Sequence, residues 1–201
     1  MNDPKLRRIL SILTRRCDER GIPFAAIGAM ALGGYGLPRF TADIDLMTEE
    51  DRRVSLLALL AESGFACFRE SEGFAHLDSE MGVYGKIDLM FVRTAAGREM
   101  LARRIRVADD LMGEYPVIQP TDYIVLKLMA MANDPTRRKR DEADIVALLK
   151  HIRGKRLSDR FEPLRRDRVL DFGRKFGLED RIRKLLKENA DDSPVRGGFF
   201  L

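Results

Sequence analysis

Asp43 and Asp45 stand one residue apart in the run Ala42-Asp43-Ile44-Asp45-Leu46-Met47, which is otherwise apolar. Side chains alternate between the two faces of a strand, so both carboxylates point one way while Ile44 and Leu46 point into a core. A second apolar run, Lys86-Ile87-Asp88-Leu89-Met90-Phe91-Val92, carries Asp88 near its middle, where an unpartnered carboxylate is costly to bury. Asp43, Asp45 and Asp88 together form a set of hard oxygen donors suited to Mg2+ or Mn2+, with positions left open for phosphate oxygens. The chemistry such a set supports is in-line phosphoryl or nucleotidyl transfer. The competing reading of Asp43 and Asp45 is a cap or turn pair, which requires no third acid on a later strand.

The segment before the acids fits phosphate handling. Gly28 follows the strand Phe24-Ala25-Ala26-Ile27 and opens a small-residue stretch, Ala29-Met30-Ala31-Leu32-Gly33-Gly34, of helical character. Backbone amides of Gly28 and Ala29 at such a turn suit phosphate oxygens. Arg39 lies four residues before Asp43, where it serves either to hold a phosphate or clamp a site acid, or to make a surface ion pair. Tyr35 and Phe40 have two readings as well, stacking on a base or packing in the core.

Gly28, Asp43, Asp45 and Asp88 resemble the pattern of the DNA polymerase β-like nucleotidyltransferase superfamily. That pattern is a hydrophobic residue and Gly, a Gly or Ser, a short helical spacer, Asp-hydrophobic-Asp, and a third acid on a later strand. Within the superfamily the chain looks most like the AbiEii/MenA-type toxin branch. The residues that carry this likeness are Arg39-Phe40-Thr41-Ala42-Asp43-Ile44-Asp45, then Leu126-Lys127-Leu128, then Arg138-Lys139-Arg140-Asp141-Glu142-Ala143-Asp144-Ile145. The likeness runs from about Ile22 to Leu149, and the combination is more specific than any one motif. It implies an NTP substrate, Mg2+ or Mn2+ on Asp43, Asp45 and Asp88, and nucleotide contacts from Gly28, Ala29, Arg39, Thr41 and Lys127. Asp141 and Asp144 would orient the lysine and the nucleotide. Ala29 departs from the pattern, because it offers no hydroxyl where the superfamily commonly has Gly or Ser.

These residues need a scaffold, and the hydrophobic pattern describes one. Leu6, Ile9, Leu10, Leu13 and Cys17 repeat at helical spacing between Pro4 and Gly21. A strand over 23–27, a short helix to about Tyr35 and a strand over 44–47 follow, then a helix over 49–62 ended by Ser63-Gly64. Strands near 65–69, 74–77 and 85–92 come next. The pattern then predicts a helix over 96–107, a strand over 115–118 and helices from Pro120 onward. The fold class is α+β: a small mixed sheet, the nucleotidyltransferase palm that the resemblance implies, with helices on one side and a helical region after it. The expected division is a palm over 1–118, a helical region packed on it over 119–189, and a flexible tail over 190–201. If the third strand is displaced by an element, Asp78 or Glu80 takes the place of Asp88. Asp109-Asp110 lacks an apolar strand pattern and is expected in a loop, and His76 is expected to be a satisfied side chain without a catalytic role.

Lys127 lies among Tyr123, Ile124, Leu126, Met129 and Ala130, so it either snorkels to solvent or reaches a phosphate. Asp141 and Asp144 share one side of the next helix, and their other reading is a first turn whose acids favour the helix dipole. Beyond Leu149, Arg153, Lys155, Arg156, Arg160, Arg165, Arg166 and Arg168, together with residues 137–140, form either a basic surface for an RNA backbone or a solvated face interleaved with Asp159, Glu162 and Asp167.

Bulk composition is compatible with this reading. Among 201 residues, 36 Lys and Arg against 32 Asp and Glu give a net charge of +4, mild for a nucleic-acid binder. No apolar run approaches the roughly 18 residues of a membrane span, and no signal-peptide core is present, so a cytoplasmic protein with no membrane partner is expected. The cysteines and histidines number two each, against a Cys/His zinc site or a disulfide scaffold. The expected function is metal-dependent transfer of an NMP from an NTP to a hydroxyl acceptor. A tRNA or other RNA end, or a protein, would be the acceptor, and an antitoxin is a candidate partner. The alternative keeps the fold as a catalytically degenerate nucleotide-binding or antitoxin-like module that works by association.

Overall fold

The structure, a computed structural model, describes residues 4–79, 85–109 and 113–190, with side chains over 8–79, 85–108 and 113–190. Chain contacts divide it into two compact units, Met1–Tyr123 with Asp159–Glu162, and Ile124–Ser158 with Pro163–Leu201.

The first unit is built on one seven-stranded mixed sheet. Its strands are β1 (Phe24–Ala26), β2 (Asp43–Glu49), β3 (Phe65–Glu70), β4 (Phe74–Ser79), β5 (Lys86–Val92), β6 (Ile105–Asp109) and β7 (Gly113–Val117). They lie in the order β3-β4-β5-β2-β1-β7-β6. β2 runs parallel to β5 and β1 parallel to β7, while the other neighbours are antiparallel. Ile44, Leu46, Ile87, Leu89, Ala75 and Leu77 are all buried, and they alternate with the more exposed Asp43, Asp45, Asp88 and His76. One face of β4, β5 and β2 therefore supplies core, and the other presents polar side chains.

The helices cover the apolar side of this pattern. In α1 (Pro4–Glu19), Ile9, Leu10, Leu13 and Cys17 are buried at helical spacing, as the sequence indicates. α2 (Gly28–Gly34) lies close to β6 and β7 because a Cβ on Gly34 would come within 3.0 Å of Val107 and 3.1 Å of Val117. In α3 (Arg53–Ala61), Leu56, Leu59 and Leu60 are fully buried. Arg53 at its start bonds Glu50 and Glu70 and lies 3.8 Å above the Phe91 ring, joining the helix entry to the sheet. Those bonds from Arg53, with a second set from Arg93, hold the Glu50 carboxyl down at about 2.

Two expected helices are corrected. The helix expected over 49–62 is shorter: β2 continues to Glu49, a 3-10 turn occupies Glu50–Arg52, and α3 begins at Arg53. The helix expected over 96–107 is α4 (Ala95–Ala102), capped by Thr94, whose hydroxyl accepts from the Gly97 N–H at 3.1 Å. Ile105, Val107 and Asp109 then belong to β6, which pairs with β7. β-branched residues with a free neighbouring edge favour a strand over more helix. Asp109, expected in a loop, ends that strand, and Asp110 lies outside the described residues.

The segment Asp159–Glu162 is held to the first unit by polar and aromatic contacts. Gln119 donates to the Arg103 carbonyl at 2.9 Å and accepts from the Glu162 N–H at 3.1 Å. One guanidinium nitrogen of Arg103 donates to both carboxylate oxygens of the fully buried Asp122, at 2.6 and 2.8 Å. The Phe161 ring meets Tyr35 edge-on at 5.1 Å.

The second unit holds most of α5 (Pro120–Asn133), with α6 (Arg138–Arg153), α7 (Arg166–Lys175) and α8 (Glu179–Asn189). Ile124, Leu128, Met131, Ile145, Leu148, Leu149, Val169 and Ile182 are fully buried among its described residues. α7 and α8 touch at Gly173, where a Cβ would come within 2.6 Å of Ile182. The tail expected over 190–201 lies outside the described residues from 191 on. Among the described residues no helix is long and apolar enough to cross a membrane.

The two cysteines offer a test of this packing. Burial pushes the Cys17 thiol up to about 12, whereas Cys67 is exposed. At about pH 8 a disulfide-exchange reagent should consume one thiol per native chain, and the second only on unfolding. Two thiols reacting together in native buffer would place α1 elsewhere.

Candidate active site

β2 and β5 pair so that Asp45 stands beside Asp88 and Asp43 beside Lys86. Neighbouring strands lie about 4.8 Å apart, and residues in parallel register share a face. Asp43, Asp45 and Asp88 are all partly exposed and alternate with the buried Ile44, Leu46, Ile87 and Leu89, so the register sets the three expected carboxylates on one face of two adjacent strands. Asp78, the alternative third acid, stands opposite Lys86 on β4, and Glu80 lies outside the described residues.

Gly28 explains why Asp45 can sit where it does. Its φ of +57° lies in the left-handed region, and a Cβ built on it would fall 2.1 Å from Asp45 Oδ2 and 2.8 Å from Cγ. The Asp45 carboxylate occupies space that any side chain at position 28 would take. The Ile27 N–H donates to the Asp45 carbonyl at 2.9 Å, tying β1 to β2 at that point. Thr41 fixes the entry to β2: its hydroxyl accepts from the Asp43 N–H at 3.2 Å and donates to the Asp43 carbonyl at 3.0 Å. Ala29 is buried behind the turn, and Arg39 is half-buried.

His76, expected to be a satisfied side chain, is hydrogen-bonded on the face that carries the acids. His76 of β4 is the register partner of Asp88, and its Nδ1 lies 2.8 Å from Asp88 Oδ1. A carboxylate only accepts, so the imidazole donates from Nδ1. The available signal was the alternation of Phe74, His76 and Asp78 against Ala75 and Leu77, which puts His76 on the acid face once β4 is known to flank β5. Among the described residues no three Asp, Glu, His or Cys side chains form a group that could hold a metal ion as they stand.

The two aromatic candidates part company. Tyr35 is buried, donates to the Ile118 carbonyl at 2.9 Å and meets Tyr123 edge-on, and burial pushes its phenol well above the usual range. Phe40 is 71% exposed, three residues from Asp43.

The remaining expected residues lie in the second unit. Lys127 is buried, and its Nζ is 2.7 Å from both Asp141 Oδ1 and Asp144 Oδ2, with Arg137 3.3 Å from Asp141 Oδ2. α6 presents the two acids on adjacent turns because they are three residues apart. In the basic segment, Arg165 pairs with Asp167 at 3.4 Å, and Arg166 donates to the Ala190 carbonyl at 2.7 Å.

No family model matches the chain, and no curated protein does. Among solved structures it is similar to the antibiotic-resistance factor ANT(2'')-Ia, with a TM-score of 0.61 and 14% identity over 90% of this chain and 95% of that one. That protein has also been crystallised with adenylyl-2''-tobramycin. An antigenic nucleotidyltransferase-like protein of Paracoccidioides brasiliensis has a TM-score of 0.52 and 16% identity, covering 96% of this chain and 97% of its own. A protein of Thermotoga maritima assigned as a nucleotidyltransferase has a TM-score of 0.51 and 22% identity over 69% of this chain and 94% of its own. At these identities the likeness is one of fold, and the fold is that of nucleotidyltransferases.

Two substitutions probe this geometry. Gly28→Ala should cost at least about 1 kcal/mol in denaturant titration, from the left-handed backbone and the displaced Asp45 carboxylate; a neutral result would contradict the close approach. Lys127→Met removes the ammonium that two buried carboxylates share and should cost about 3–5 kcal/mol. Full retention of the denaturation midpoint would show that the shared ammonium carries none of that stability.

Proposed function

We propose that the chain is a divalent-metal-dependent nucleotidyltransferase that moves an NMP from an NTP to a hydroxyl acceptor. The observation that carries this reading is the register of Asp45 with Asp88 on parallel strands, with Asp43 two residues away on the same face and Gly28 pressed against Asp45. The donor set fits Mg2+ or Mn2+, being hard carboxylate oxygens on one face of two strands in register. Asp43 and Asp45 would hold the ion with Asp88, and when bound it supplies positive charge to the phosphate oxygens.

The chain's own groups do the rest. Asp88 takes the proton of the acceptor hydroxyl. The hydroxyl oxygen bonds to the α-phosphorus, the bond from that phosphorus to its bridging oxygen breaks, and pyrophosphate leaves. Gly28 and Ala29 amides, Arg39 and Thr41 hold the triphosphate, as the sequence resemblance implies. Lys127, oriented by Asp141 and Asp144, has the same role by that resemblance. Phe40, exposed and three residues before Asp43 in the chain, would offer a surface on which a base can stack.

The acceptor is an alcohol, and the adenylylated tobramycin bound to ANT(2'')-Ia shows that this fold accommodates a small-molecule acceptor in that protein. The assignment to a toxin-like branch acting on a tRNA or other RNA end or on a protein, with an antitoxin as partner, rests on the motifs at residues 39–45, 126–128 and 138–145. A second reading, nucleotide binding without turnover, is favoured by one observation: the described acids do not form a metal-holding group as they stand. Calorimetry with Mg2+ and each NTP, read beside turnover, separates the two.

The reading predicts transfer of label from NTPs radiolabelled at the α-phosphate, in Mg2+, to one species in a mixture of cellular RNA, protein and small-molecule alcohols. Asp45→Asn should remove at least about 99% of that label without unfolding the chain, as expected where transition-state charge loses its counter-ion. Equal labelling by Asp45→Asn would contradict the assignment.

A further inference from the structure

We propose that His76 is a positioning residue that fixes the carboxylate of Asp88 in its working orientation. The inference deepens the reading of Asp88 as the group that takes the acceptor's proton, and it rests on that reading.

The sheet order puts β5 between β4 and β2, so Asp88 has His76 as register partner on one side and Asp45 on the other. An aspartate on a half-open strand face has several accessible rotamers, and Asp88 is 38% exposed. The Nδ1–Oδ1 bond at 2.8 Å selects one of them and uses one oxygen, leaving the second for the acceptor's proton or for an ion. The imidazole is steadied in turn. The Phe68 ring lies 6.2 Å from it at an interplanar angle of 35°, and Phe68 sits where the β3–β4 register shifts between Cys67 and Arg69. The Lys86 ammonium lies 5.9 Å from the Phe68 centroid.

An aromatic that is 60% exposed on an edge strand has little packing purpose of its own. Here it limits the swing of the histidine. The row from Phe68 through His76 and Asp88 to Asp45 thus crosses four adjacent strands, with side-chain contacts from Phe68 to His76 and from His76 to Asp88. A buffer of this kind beside a carboxylate is worth about 10–100-fold in metal affinity or activity when removed.

The test uses the full chain and two readouts besides turnover. First, Mn2+ binding with a non-hydrolysable ATP analogue is followed by electron paramagnetic resonance at fixed pH, comparing wild type with His76→Ala, His76→Asn and Asp45→Asn. His76→Ala should weaken Mn2+ binding at least about tenfold, and His76→Asn, whose amide N–H reaches about the place of Nδ1, should stay within about threefold of wild type. Second, nitrogen-15 spectra of the two histidines should show His76 with its proton on Nδ1. Wild-type binding by His76→Ala, with binding lost in Asp45→Asn, overturns the positioning role and leaves the active-site reading standing. Equal binding by wild type and Asp45→Asn overturns the active-site reading, and the role of His76 falls with it. A bare Nδ1 in the native spectrum overturns the hydrogen bond and the proposal together.

Discussion

The constraint on which this structure depends is the parallel, in-register pairing of β2 with β5. Seven consecutive positions match, from Asp43 beside Lys86 to Glu49 beside Val92. Because side-chain direction alternates with every residue, a slip of one position would send Asp88 into the core and Ile87 and Leu89 into solvent. The apolar members of the two strands therefore enforce the register by their burial, and the acids ride on it. Packing energy at Ile44, Leu46, Ile87 and Leu89 is what places the three carboxylates, since surface carboxylates have little energy of their own with which to select a register.

Around that pairing the rest of the first unit reads as support. Gly28 lets α2 begin against the Asp45 carboxylate, and Gly34 lets the same helix settle close to β6 and β7. Tyr35 anchors the end of α2 through Ile118, Tyr123 and Phe161, which keeps the glycine turn at a fixed height above the sheet. The cost of leaving a buried hydroxyl unbonded explains why Tyr35 is spent on this anchor rather than offered to a ligand. In the second unit, by contrast, buried charges pair at Lys127, Asp141 and Asp144, with Arg137 beside Asp141.

Much of this was legible in the chain because local pattern and burial agree. The Asp-Ile-Asp run, the apolar strand around Asp88 and the amphipathic first helix each carry a period that one element alone satisfies. Where the pattern failed, a partner distant in sequence decided the matter. Ile105, Val107 and Ala108 suit a helix or a strand locally, and the free edge of β7 selects the strand. The bond of His76 to Asp88 depends on β4 lying next to β5, a fact of topology that spacing along the chain does not encode. Likewise Tyr35 and Phe40 are near neighbours in sequence with opposite fates, one in the core and one in solvent, because only Tyr35 faces the aromatic cluster.

The central claim is that the register of Asp45 with Asp88 builds a site for a metal–nucleotide pair. The most direct measurement is a crystal structure with Mn2+ and a non-hydrolysable NTP, located by anomalous scattering. The account predicts a manganese peak bridging Asp43 and Asp45, with Asp88 turned toward it and the triphosphate beside Gly28. A peak on other residues, or nucleotide bound with those three carboxylates empty, would contradict it.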